Sequence, residues 1–195
     1  MLDIAERALI ILLFVVLVAS IRHGLALRPY NVMVVLHEGL TVFFIVTRRM
    51  AQQLTLKPLD WVAALLGTGL PLFVRPGGDA PMPQLVGTVL MTCGILLSFW
   101  GLLFLRRSFG MAAANRGVVN GGPYGFVRHP IYLGYLCTHI GFLLNNPTWW
   151  NAGIYFVATG SQIWRILAEE SVLGADPAYD ALRAKVRWRL VPGLF

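Results

Sequence analysis

The stretch GGPYGFVRHPIYLG, residues 121–134, lies between two strongly apolar segments, and the rest of the chain is read outward from it. It places Arg128, His129 and Pro130 at the mouth of a hydrophobic helix, with Tyr124 and Tyr132 on either side. Charged groups at a membrane boundary are costly to keep without a ligand to hold. Pro130 lacks an N–H and has a preset backbone angle, so it suits the first turn of a helix beginning near Ile131. The unpaired N–H groups and positive end of that helix then point toward residues 124–129, where a carboxylate or phosphate is welcome.

Around this stretch the chain is too apolar for a soluble domain. Of its 195 residues 57% are hydrophobic and 13% charged, about half the usual charge. The expected class is an all-α integral membrane protein forming a single membrane domain over residues 1–195. About six hydrophobic segments are read: residues 4–21, 31–47, 59–74, 84–105, 131–144 and 149–167. The fourth is long enough to cross a hydrocarbon core of roughly 30 Å. The fifth is too short to cross unless it starts deep or the bilayer thins. Asn145-Asn146-Pro147 reads as a tight turn, making the last two segments a helical hairpin. Residues 1–105 are expected to form a four-span scaffold and residues 106–195 to carry the candidate site. The opening MLDIAER has two acids and no small-residue cleavage site after it, so a retained first span is expected. Residues 176–190 carry Tyr179, Leu182, Val186 and Leu190 at three- and four-residue spacing with basic residues between, the pattern of an amphipathic surface helix.

Basic residues give the orientation. With six spans, one side holds Arg7; Arg48, Arg49 and Lys57; Arg106, Arg107, Arg116 and Arg128; and Arg183, Lys185, Arg187 and Arg189. The other holds Arg22, Arg28 and Arg75, so the balance is twelve against three. Both termini and the 128–130 stretch are therefore expected in the cytoplasm, on the same face as Arg165 and Glu169. The net charge of +7 reads as topology signal and headgroup contact rather than nucleic-acid binding. No protein partner is evident.

Arg165 and Glu169 stand four apart and share a helix face, either as an ion pair capping a span or as a functional pair. Glu170 faces another way and is expected to be solvated. Tyr132, Tyr135 and His139 form a polar-aromatic stripe. His37 and Glu38 are intramembrane ionisable groups, but adjacent residues lie about 100° apart on a helix, so they are not expected to form one site. Cys93 and Cys137 read as small core residues, with no metal-ligand spacing. Residues 108–110 and 116–122 form a loop able to offer backbone N–H groups, without the glycine spacing and lysine of a phosphate loop.

Three pieces in order, residues 116–122 leading into GPYGFVRHPIYLG, then ILAEESVL, then PAYDALRAKVRWRLVPGL, resemble the isoprenylcysteine carboxyl methyltransferases and the related phospholipid methyltransferases. The resemblance covers residues 108–194. It implies methyl transfer from S-adenosylmethionine to a lipophilic acceptor at the cytoplasmic membrane face, without a metal. Carboxyl O-methylation of an isoprenylcysteine-like substrate is the first expectation, with phospholipid N-methylation or another lipid O-methylation as alternatives. Carried over by position, the cofactor meets Tyr124, His129, Pro130, Ile131, Tyr132 and Glu169, with backbone from Arg116, Gly117, Val118 and Val119. Arg165 takes the catalytic place facing the acceptor, and Arg128 is a second substrate-binding candidate. Glu169 suits the cofactor's ammonium, while His129 and the helix N-terminus suit its carboxylate. The short, alanine-rich residues 111–115 leave no obvious side chain to grip the adenine end. A carboxylate acceptor needs no general base, whereas an amine or hydroxyl makes His139 or a tyrosine a candidate. Membrane reductases using NADPH resemble the same scaffold, but the Glu169-Glu170 pair suits a 2′-phosphate poorly. A non-catalytic lipid-organising protein is the remaining alternative.

Overall fold

The computed structural model describes residues 2–25, 28–47, 57–105 and 118–195. Over these residues the chain is all-α, with seven α-helices: α1 (Leu2–Leu25), α2 (Val32–Thr47), α3 (Pro58–Gly69), α4 (Gln84–Leu105), α5 (Pro130–Asn145), α6 (Trp149–Leu173) and α7 (Pro177–Lys185). Short 3-10 turns precede α2, follow α3 and occupy Gly122–Gly125. Two helical stretches, Pro29–Thr47 and Gln84–Leu105, are long and apolar enough to cross a membrane. The outer surface is aliphatic and aromatic: Leu12, Val15, Leu36, Phe43, Leu96 and Phe156 all point outward and are exposed. Such an exterior belongs against lipid rather than water.

Proline and capping side chains set the helix starts. Pro130 occupies the first turn of α5 behind His129, where its missing N–H costs nothing. Thr148 accepts from the Asn151 N–H at 3.1 Å and begins α6, and the Asp176 side chain accepts from Ala178 N at 2.9 Å to begin α7.

α5 and α6 are joined by a tight turn, yet each finds its main neighbour elsewhere: α5 lies against α4 and α6 against α3. The α4–α5 seam explains the first choice. Gly87, Gly94 and Gly101 recur every seventh residue on α4, and Gly134 and Gly141 do so on α5. A Cβ on Gly94 would sit 2.5 Å from the Gly134 carbonyl oxygen, and one on Gly141 would sit 2.5 Å from that of Gly87. Only glycine permits backbones this close, and close backbone packing is what joins helices where the hydrophobic effect is absent. At the end of the bundle carrying the α5–α6 turn, Asn146 donates to Asn31 Oδ1 at 2.9 Å and accepts from Gly77 N, while Asn151 bonds both the N–H and the carbonyl of Arg75.

The tail differs from expectation. α7 stops at Lys185 instead of continuing to Leu190. Beyond it the chain folds back, so that the Trp188 carbonyl accepts from Arg128 N at 3.0 Å and the Arg189 carbonyl from His129 N at 2.9 Å. A helix continued through this segment would leave those two buried N–H groups without partners.

Candidate functional site

The site lies where the 122–130 turn, the cytoplasm-facing end of α6 as read from the sequence, and the folded-back tail meet. Gly122 has φ +58°, and a Cβ there would sit 2.5 Å from the Phe104 ring, so glycine alone can make this turn. The turn buries Tyr124 against α4, within 3.5 Å of the Gly101 carbonyl. Burial, with Glu169 and Tyr135 adding to it, pushes the Tyr124 hydroxyl well above its ordinary pKa. Pro130 and Ile131 are buried beside it, and Ile131 packs into the groove left by Gly101. Its side chain therefore serves the seam, and only its backbone remains for a ligand.

Two neighbouring carboxylates divide the polar groups. Glu170, with a side chain 10% exposed, receives Arg189 Nε at 2.8 Å and His129 Nε2 at 3.2 Å, and makes an ion pair with Arg128 Nε at 3.3 Å. Burial by itself would raise the Glu170 carboxyl, but His129 and Arg189 outweigh it and hold it down at about 2. The Tyr179 hydroxyl lies nearby, short of hydrogen-bonding geometry, and burial beside this carboxylate pushes it upward. Glu170 is thus largely enclosed and saturated, not solvated as the sequence led us to expect. Arg128, a candidate for the substrate, is occupied by this carboxylate.

Glu169 is different. Its Oε1 accepts from the Tyr132 hydroxyl, His129 Nδ1 approaches Oε2 only to 3.8 Å, and the side chain remains 25% exposed. One turn earlier, Arg165 is 5% exposed. Its guanidinium carbon lies 5.3 Å from the centre of the Tyr132 ring, Nη1 donates to Thr68 Oγ1 at 3.3 Å, and Nε is buried without a partner. Arg165 and Glu169 do not form the ion pair that their spacing permits; Tyr132 stands between the roles of both. Thr68 on α3 was not anticipated, and a hydroxyl beside Gly67 and Gly69 was its only sequence signal.

Val118 packs with Tyr179, Leu182 and Val186 in a small cluster under the tail, and Val119 is half-buried next to it. Arg116, Gly117 and residues 106–115 lie outside the described residues. A second polar group sits deeper. His37 and Glu38, expected to point apart, both turn toward α5 and converge with His139: potential ligand atoms of all three lie within 4.8 Å of one another. The side chains are long enough to bend back across the angle that separates their Cα–Cβ bonds.

An all-helical protein with an aliphatic exterior and a polar, tyrosine-lined site at one end of the bundle is the class these features define. Residues 82–175 match the family model of the phospholipid methyltransferases, a family that includes members like the isoprenylcysteine carboxyl methyltransferases. The match runs from just before α4 to the end of α6. No match was found among curated proteins or among solved structures. The match suggests S-adenosylmethionine-dependent methyl transfer to a lipid acceptor, and together with the apolar helices it suggests a membrane location.

Proposed function

We propose that the chain transfers a methyl group from S-adenosylmethionine to the carboxylate of a lipophilic acceptor, an isoprenylcysteine-like molecule being the reference substrate. The observation that carries this reading is Arg165. A buried guanidinium with an unpartnered Nε, and with no carboxylate within ion-pair distance among the described residues, calls for an anionic ligand. A cationic amine would be repelled there; a carboxylate would be held and aimed.

The donor set fits the cofactor as well. Glu169 keeps an oxygen that no cation saturates, suiting the ammonium, and the first N–H groups of α5 suit the carboxylate. Bound there, S-adenosylmethionine would supply an electrophilic methyl group on a sulfonium. The protein's contribution is then positional: Arg165 orients an acceptor that is already ionised at neutral pH, Tyr132 and Thr68 hold Arg165, and the folded-back tail closes the cytoplasmic side. A groove of about 510 Å³ between α5 and α6, lined by Leu136, Ile140, Phe156, Val157 and Ile163, has the apolar character a prenyl or acyl tail requires. In this reading six apolar segments span the membrane with both termini cytoplasmic. Residues 1–105 act as scaffold, and residues 106–195 carry the chemistry.

The test is product chemistry. Purified protein is given radiolabelled S-adenosylmethionine with S-farnesyl-N-acetylcysteine or with phosphatidylethanolamine. Label released as methanol by mild alkali from the first substrate is the expected result. Alkali-stable label in the phospholipid, with none in the thioether, would overturn the carboxylate assignment and leave an N-methyltransferase.

A further inference from the structure

A small polar cavity lies within the bundle between α2, α3, α5 and α6, bordered by His37, Glu38, Thr68, Tyr135, His139 and Gln162. Its contents are not explained by methyl transfer. Both ring nitrogens of His37 and Nδ1 of His139 are buried without a hydrogen-bond partner. His37 is 1% exposed, His139 2% and Glu38 4%. Buried polar atoms are nearly always paired, so unpaired nitrogens on two imidazoles that border one space mark a missing ligand. The space measures about 10 Å³ for the centre of a water-sized sphere, enough for one ion or one water and too small for an organic headgroup.

We propose that His37, Glu38 and His139 bind a divalent first-row transition-metal ion. Two imidazoles and one carboxylate are a donor set that zinc and ferrous iron both accept, with at least one position left for water. The ligand atoms already lie within 4.8 Å of one another, and His37 Nδ1 is 3.7 Å from Glu38 Oε1. Bonds of about 2.0–2.2 Å to a central ion require each side chain to move inward by less than roughly 1 Å. The resident carboxylate offsets part of the ion's charge, which an apolar setting demands. The His139 ring stacks on Tyr155 with centroids 4.3 Å apart, and His37 meets the edge of Tyr135 at 4.9 Å, so both imidazoles are braced from behind. The ion would clamp α2, which lies outside the family-matching region, onto α5 within it. A metal here would depart from the metal-free expectation that the resemblance carries. It does not depend on the identity of the methyl acceptor or on methyl transfer at all.

The experiment is metal analysis of the full-length protein purified in detergent without chelators, followed by stripping and reloading with Co²⁺ alone. The expected result is close to one zinc or iron per folded chain and a saturable Co²⁺ visible spectrum of a site with nitrogen and oxygen ligands. His139→Ala and Glu38→Gln should each lower Co²⁺ affinity at least tenfold. Wild-type protein that is folded by its melting transition, holds less than a tenth of an equivalent of metal, and gives no Co²⁺ spectrum would overturn the proposal and leave a water-filled cavity. Because that reading uses wild type alone, variants that fail to fold do not obscure it.

Discussion

Glu170 and Arg165 lie on one helix, five positions apart, and the molecule treats them in opposite ways. Glu170 is surrounded by Arg128, His129 and Arg189, each within ion-pair distance of its carboxylate. Arg165 is more deeply buried and has only a tyrosine face, one threonine hydroxyl and a bare Nε. A buried charge that is saturated from within fastens the fold; one left open stores the capacity to hold something else. On this contrast Glu170 stitches the tail and the 128–129 turn to α6, whereas Arg165 and the exposed edge of Glu169 are the groups we propose for holding ligands.

The largest expected effect breaks the contrast at its open end. Arg165→Ala should lower kcat about 100-fold or more while cofactor affinity, read by calorimetry, stays within about threefold. Arg165→Lys should recover little, since a point charge cannot replace the planar guanidinium over Tyr132. A matched loss of cofactor binding would instead mark Arg165 as a structural residue. The seam supplies a purely steric comparison: Gly134→Ala drives a methyl into Ser98 and the Gly94 carbonyl and should cost about 1–3 kcal/mol in detergent unfolding. No change in unfolding midpoint would show that α4 and α5 can move apart freely.

At the saturated end, Glu170→Gln should loosen the tail, seen as faster proteolysis after residue 185, with a smaller effect on turnover than Arg165→Ala. Its folded pKa near 2 lies below the unfolded value of about 4.3. Its stabilising contribution is therefore complete above about pH 4.3 and fades as pH falls toward 2. Acid titration of wild type should show that slope, and the variant should lack it. Arg183→Ala is the smallest perturbation. Its pair with Asp180 at 3.6 Å is half-exposed, so stability should move by no more than about 0.5 kcal/mol. A larger shift would mean α7 is held by charge rather than by Tyr179 and Leu182.

Much of this was legible in the chain. α4 spans the residues read for it, and the proline rule located the start of α5, because both depend on local composition and backbone chemistry. Tyr132, Glu169 and Arg165 gather around one point, with Arg165 turned to the tyrosine face rather than to Glu169. What escaped was tertiary. A helical wheel treats Glu170 as facing water because it cannot see a tail folding back over it. The same wheel separates His37 from Glu38, although α5 draws both side chains into one cavity. The end of α7 at Lys185 likewise follows from the needs of Arg128 N and His129 N, some sixty residues away. The seven-residue glycine spacing on α4 and α5 was present in the sequence and is the one signal that periodicity alone would have caught.

The most direct test of the account is calorimetric binding of S-adenosylmethionine and S-adenosylhomocysteine to wild type, Glu169→Gln and Arg165→Ala, with NADPH as a control ligand. Wild type should bind both sulfur nucleotides with micromolar affinity, Glu169→Gln about 10- to 100-fold more weakly, and Arg165→Ala with near wild-type affinity. Folded wild type that binds neither nucleotide, or that binds NADPH in their place, would contradict the account.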